Sequence, residues 1–133
     1  MLSTEADVRL SEREFERYRR QMMHNGFTPE HQERLKGSTA LIAGIGGLGG
    51  TAALYLAVAG IGKMIFAHSG DLTLSNMNRQ LLMRHDWIGK SRVIQGMKSV
   101  AEINPDVDVS IFNERTTEEN VEKFLEGADI AIS

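Results

Sequence analysis

The run Gly44-Ile45-Gly46-Gly47-Leu48-Gly49 is the part of this chain best suited to chemistry. Glycines at this spacing let a backbone turn tightly and come close to a ligand. An apolar run, 39–43, precedes them and a helix-like stretch, 51–59, follows. A strand, a glycine turn and a helix start make a cradle for a diphosphate, because the first helical N–H groups are free and that end of the helix is positive. The strand before and the helix after lift the glycine pattern above a chance match. Other chemistries are excluded by what the chain lacks. It has no cysteine, hence no disulfide, thiolate zinc site or cysteine nucleophile. His24, His31 and His85 have no partners at ligand spacing, so no metal site is expected. The net charge of −3 argues against a nucleic-acid or anionic-membrane surface.

The elements that must position this turn follow from the residue pattern. The 133 residues suffice for one domain with a substantial core. Residues 1–37 read as a helical arm and residues 38–133 as the nucleotide-binding domain. In the arm, a helix over 11–25 opens with a Ser11/Glu14 capping box and stops at Gly26. Phe15, Tyr18 and Met22 form its narrow apolar stripe. A second helix opens at Thr28-Pro29 and stops at Gly37. Strands and helices then alternate: strand 39–44, helix 48–59, strand 63–67 and a polar loop 68–75. One or two helices cover 76–103, broken near Trp87-Ile88-Gly89. Strand 107–112, helix 118–125 capped by Thr116 or Thr117, and strand 128–132 complete the series. This alternation predicts an α/β fold: a Rossmann-like parallel sheet of order 3-2-1-4 with right-handed crossovers and flanking helices. Ligands bind such sheets at the carboxyl ends of the strands. The first seven residues lack the basic and apolar regions of a signal peptide. No apolar run reaches the roughly 20 residues of a membrane span, and a cytoplasmic location is expected.

Six motifs follow one another in a fixed order. They are Arg17-Tyr18-Arg19-Arg20-Gln21, the glycine turn, Leu54-Tyr55-Leu56-Ala57-Val58-Ala59-Gly60-Ile61-Gly62, Ser75-Asn76-Met77-Asn78-Arg79-Gln80, Ile88-Gly89-Lys90-Ser91-Arg92 and Ile103-Asn104-Pro105. The series resembles the ThiF/MoeB/HesA family, the prokaryotic relatives of ubiquitin-activating enzymes, over most of the chain. The resemblance implies adenylation of a carboxylate with ATP and Mg2+. That carboxylate is usually the C-terminal glycine of a ubiquitin-like carrier protein, with a peptide or small acid as the alternative. The resemblance also implies that Gly44, Gly46, Gly47 and Gly49 turn at the nucleotide phosphates, and that Asn76, Arg79 and Gln80 lie along the triphosphate. Arg20 would reach the γ-phosphate from the neighbouring subunit of a homodimer. Arg92 matches the family's phosphate-touching lysine, with Lys90 two residues earlier. The chemistry agrees with these roles. Adenylation brings two anions together, so guanidiniums must offset the charge that grows on the leaving diphosphate. No general base is needed, because a carboxylate is already ionised.

His68 departs from the family pattern. It stands where the second strand ends in an Asp that takes both ribose hydroxyls, and Gly70 stands where a second acid follows. An imidazole can make one bond to a ribose but cannot chelate two hydroxyls. Nicotinamide binding also wants an acid about 20 residues past the glycines, so that reading weakens for the same reason. The family's metal-binding Asp and substrate groove would lie beyond residue 133. Three functions therefore compete. The first is the nucleotide-binding half of a carboxylate adenylyltransferase. The second is a relative without ATP that acts as a non-catalytic binding or dimerisation partner. The third is an NAD(P)-binding oxidoreductase domain.

Overall fold

Four short strands, β1 (Thr39–Ala43), β2 (Lys63–Ala67), β3 (Asp108–Phe112) and β4 (Ile130–Ile132), form one parallel sheet in the order β3-β2-β1-β4. This is the expected α/β, Rossmann-like topology. The structure, a computed structural model, describes residues 8–133; residues 1–7, read above as lacking a signal peptide, lie outside the described residues. The helices are α1 (Glu12–Met22), α2 (Pro29–Lys36), α3 (Gly47–Ala59), α4 (Arg92–Ile103) and α5 (Val121–Leu125). β1 pairs with β2 in the register Leu41↔Ile65 and with β4 in the register Leu41↔Ala131. A strand covered on both faces should be continuously apolar, and Ala40, Leu41 and Ile42 are all buried. One face carries the main core, where Ile42, Met64 and Phe66 join Ala53 and Ala57 of α3 with Val93 and Val100 of α4. On the other face Leu41, Ile65 and Ala67 meet Phe124 of α5. The cap of α5 is Asn120, not a threonine, so this helix starts later than the pattern predicts.

Residues 76–91 also differ from expectation. They contain no α-helix; two 3-10 turns, Leu74–Asn76 and His85–Trp87, lead to α4. The backbone bonds along this segment are isolated turns, such as Met83 N–H to Gln80 O and Trp87 N–H to Arg84 O, and two further bonds tie its end to Leu72. The Leu72 N–H donates to Lys90 O and the Gly89 N–H to Leu72 O, both at 2.8 Å. The side chains it buries, Gln80, Leu82 and Met83, follow one another too closely for one helical face.

α1 packs on its own domain through Glu14, Tyr18 and Gln21, one helical face, and leaves Phe15 half exposed. Of the predicted Phe15–Tyr18–Met22 stripe, Tyr18 is buried and Met22 partly buried, while Phe15 lies off the docking face. Polar groups take the inward positions because each finds a partner. Lys36 Nζ of α2 donates to Glu14 Oε1 at 2.7 Å. Asn104 Nδ2 donates to both Tyr18 Oη and Ala57 O at 2.8 Å. Gln21 Nε2 donates to Ala59 O at 2.7 Å, and Gln32 Nε2 to the same oxygen at 2.8 Å. The last carbonyls of α3, which have no partner within the helix, are thus satisfied by side chains of the arm and of Asn104. Among the described residues, no helix is long and apolar enough to cross a membrane.

Candidate functional site

β1 ends at Ala43 and the chain reverses into α3 through the glycine run. Gly44 has φ +94°, in the left-handed region that favours glycine, and its N–H donates to Ala67 O at 2.8 Å. At Gly49 helix and strand approach most closely, and a Cβ there would stand 1.7 Å from Gly44 O. Gly46 is the N-cap of α3 and, lacking a side chain, leaves the first helical N–H groups uncovered.

Two clefts flank this turn. Gly47, Leu48, Thr51, Arg79 and Leu81 line one of about 510 Å³. Arg79 lies against Gly47, its Cγ 3.2 Å from where a Gly47 Cβ would be. The guanidinium is steadied by Nη1 bonds to Ser75 O at 3.1 Å and Asn78 Oδ1 at 2.9 Å. Gln80 is buried with its Nε2 3.6 Å from the Cβ position of Gly46, and its Oε1 has no partner among the described residues. Asn76 closes its own 3-10 turn, its Oδ1 accepting the Thr73 N–H at 2.9 Å.

The second cleft, about 550 Å³, opens at the carboxyl ends of the strands. Gly44, His68, Ser69, Arg92, Arg115 and Thr116 contribute to it, and no Asp or Glu side chain does. His68 Nδ1 accepts the Ile45 N–H at 3.3 Å. A backbone N–H can only donate, so Nδ1 is bare and the ring proton sits on Nε2. Burial, and then the positive Arg92, lower the His68 pKa to about 4. The ring is therefore neutral near pH 7. Arg92 Nη2 donates to Ser69 O at 2.9 Å. His68 Nε2, Arg92 Nε and Thr116 Oγ1 are all buried without a hydrogen-bond partner among the described residues.

The depressed pKa has a consequence for stability. As pH falls, the unfolded chain takes up the His68 proton first, near the ordinary value of 6.5. The contribution of neutral His68 is complete above that pH and is lost progressively down to about 4. Thermal unfolding of the wild type should therefore worsen more steeply over this interval than that of His68→Asn, whose Oδ1 can take the same N–H. Parallel pH curves for the two proteins would assign the titration to another group.

Of the residues singled out in the sequence, the structure gathers Gly44, His68 and Arg92 at one cleft and Gly46, Gly47, Arg79 and Gln80 beside the other. Arg20 and Lys90 stand apart. Arg20 is exposed on α1, next to Gln21, whose side chain reaches the far end of α3. A helix of 13 residues, roughly 20 Å long, separates that end from the glycine turn. Lys90 is exposed and borders neither cleft. Sequence reasoning missed Arg115 and gave Thr116 only a capping role. Their position just after β3 was the available signal, since parallel sheets hold ligands at that edge. Among the described residues no three His, Asp or Glu side chains converge.

Comparison with known proteins bears on the family and the fold. The family model described as ThiF family matches residues 18–133. The vegetative HesA protein of Trichormus variabilis is 50% identical over 125 residues, 94% of this chain and 47% of HesA. The sulfur carrier protein ThiS adenylyltransferase of Escherichia coli is 34% identical over 123 residues, 92% of this chain and 49% of that protein. The crystal structure of E. coli tRNA N6-threonylcarbamoyladenosine dehydratase in complex with AMP is similar with a TM-score of 0.80 at 25% identity, covering 87% of this chain and 46% of that one. The chain spans about half the length of the curated relatives it matches. The ordered motifs, the β3-β2-β1-β4 sheet and the matched residues lead to one conclusion: the chain belongs to the ThiF family.

Proposed function

We propose that this chain is the nucleotide-binding part of an ATP-dependent adenylyltransferase that activates a carboxylate as an acyl-adenylate. The observation that carries the reading is Arg79 lying against Gly47 at the start of α3. A guanidinium and a row of uncovered helical N–H groups meet at one point, which suits a polyphosphate. The relatives support it: one is a sulfur carrier protein adenylyltransferase and another holds AMP. In the reaction a carboxylate oxygen bonds to the α-phosphorus while the bond to the diphosphate oxygen breaks and its electron pair leaves with diphosphate. The start of α3 and Arg79 offset the charge that grows there. The substrate is a carboxylate-bearing protein or peptide, with the C-terminus of a ubiquitin-like carrier as the first candidate.

Calorimetric titration of the chain with ATP tests the reading. Wild type should bind. Gly46→Val, whose methyl groups would press on the Gln80 amide and cover the helix start, should not, while its circular-dichroism spectrum stays unchanged. Binding retained in Gly46→Val would sink the site. A non-catalytic binding partner is the second reading, which His68 favours by standing where the family has an Asp for the ribose, and a wild type that ignores ATP would select it.

A homodimer belongs to the same proposal, with Arg20 of one subunit at the nucleotide of the other. Leu48 at 86% and Tyr55 at 68% exposure leave an apolar face on α3 that a second subunit would cover. Sedimentation showing a monomer at high micromolar concentration with ATP binding intact would remove the shared site.

A further inference from the structure

The turn between α1 and α2 joins an asparagine to a glycine, Asn25-Gly26, and no other asparagine in the sequence precedes a glycine. Both residues are exposed. Gly26 has φ +90°, and no atom beyond the adjacent residues lies within 4 Å of where its Cβ would be. Among the described residues neither the Asn25 amide nor the Gly26 N–H has a hydrogen-bond partner. One backbone bond closes the turn, from the Phe27 N–H to His24 O at 3.1 Å. A glycine nitrogen is the least hindered backbone nucleophile, because no side chain flanks it. The Asn25 amide carbon is therefore open to attack by the nitrogen of the next residue. The two sides of this turn are tied to one point. Gln21 and Gln32 both donate to Ala59 O, at 2.7 and 2.8 Å, and so seat the arm on the last turn of α3.

We propose that Asn25-Gly26 is a self-modification site, and that its conversion loosens the arm from the end of α3. The Gly26 nitrogen loses its proton and attacks the side-chain carbonyl carbon of Asn25. A new C–N bond forms. The bond from that carbon to the side-chain nitrogen breaks, and the nitrogen leaves with the electron pair and a proton as ammonia. The product is a five-membered succinimide. Water then adds to one of its two carbonyls and breaks that carbon's bond to the ring nitrogen. Opening at the side-chain carbonyl leaves aspartate. Opening at the main-chain carbonyl leaves isoaspartate, whose chain runs on through the β-carbon. Both products add a negative charge, and isoaspartate also adds a methylene to the main chain between Gln21 and Gln32. A longer connection shifts one helix against the other and strains the two bonds to Ala59 O, which weaken steeply as their geometry worsens.

Ageing the whole chain at mildly alkaline pH, followed by mass spectrometry of its tryptic peptides, tests both parts. Cleavage after Arg20 and Arg34 releases the peptide 21–34. It should gain one dalton over days, and electron-transfer fragmentation should place the gain at Asn25, as isoaspartate together with aspartate. Peptides that hold the other asparagines should stay unchanged over the same time. The folded chain should react no more than about 10-fold more slowly than the chain in urea, because a single hydrogen bond holds the turn. Asn25→Gln keeps an amide but would need a six-membered ring, so it should gain no mass at this position. Its melting temperature should stay constant on ageing, while that of the wild type falls as isoaspartate accumulates. A folded chain slower than the stated limit, or a gain at another asparagine before Asn25, would overturn the site. Complete conversion with an unchanged melting curve would overturn the loosening of the arm.

Discussion

Gly49→Ala is expected to cost about 3 kcal/mol or more of folding free energy and to abolish nucleotide binding with it. The new Cβ would lie 1.7 Å from Gly44 O and 2.9 Å from its carbonyl carbon. Both are backbone atoms, so no side-chain rotation relieves the overlap. Relief requires α3 to lift from the end of β1, which draws Ala53 and Ala57 out of the core they share with Ile42. Overpacking that side chains can absorb costs about 1–3 kcal/mol, and this case has no such outlet. A loss of that size is a large share of the 5–15 kcal/mol typical of a domain. Urea unfolding should show a lower midpoint with an unchanged slope. Gly47→Ala is the control. Its Cβ would meet only the flexible Arg79 side chain, at 3.2 Å, so it should keep the fold and weaken ATP binding. A Gly49→Ala protein as stable as wild type would mean that strand and helix do not approach this closely.

Arg79→Ala should weaken ATP binding about 10- to 100-fold and change AMP binding little, since one bond to a charged group contributes roughly 1.5–3 kcal/mol. Arg79 sits at the start of α3, where the outer phosphates of ATP would lie and where AMP has none. Its guanidinium is already held by Ser75 O and Asn78 Oδ1, so little ordering is needed on binding. Arg79→Lys should restore only part of the affinity, because an ammonium keeps the charge but not the fork of donors. Parallel titrations with the two nucleotides read the difference. Equal losses for ATP and AMP would place Arg79 away from the β and γ phosphates.

The parts of the fold legible in the sequence are those determined locally. The Ser11/Glu14 box, the glycine turn and the stop at Gly60 depend on residues within a few positions, and all occur where the pattern places them. The sheet order follows because alternating strands and helices leave few topologies. What was not legible depends on distant partners. Glu14 and Gln21 turn inward only because Lys36 and Ala59 are there to meet them, and a hydrophobic stripe through Phe15 looks better without that knowledge. The segment 76–91 has enough apolar residues for a helix, yet its backbone forms separate turns, and its last residues bond to the distant Leu72. The tautomer of His68, which turns an acceptor site into a donor site, is decided by the N–H of Ile45 on the neighbouring turn. No pattern in the residues around His68 carries that information.

Placing β1 between β2 and β4 also imposes a timetable on synthesis. The Thr39 N–H bonds to Asp129, a sequence separation of 90 residues. At about 5–20 residues per second, the ribosome takes roughly 5 to 18 s to supply the second partner strand after the first residues of β1 have emerged. For that interval one edge of the future central strand has no mate, and an unpaired apolar edge is a template for other chains. The face of Leu41 and Ile65 waits almost as long, because Phe124 covers it. The nascent chain therefore passes through a window of seconds in which its most apolar strand is half built, and in that window crowding by other nascent chains and the supply of chaperones, more than the final stability, decide how much protein survives.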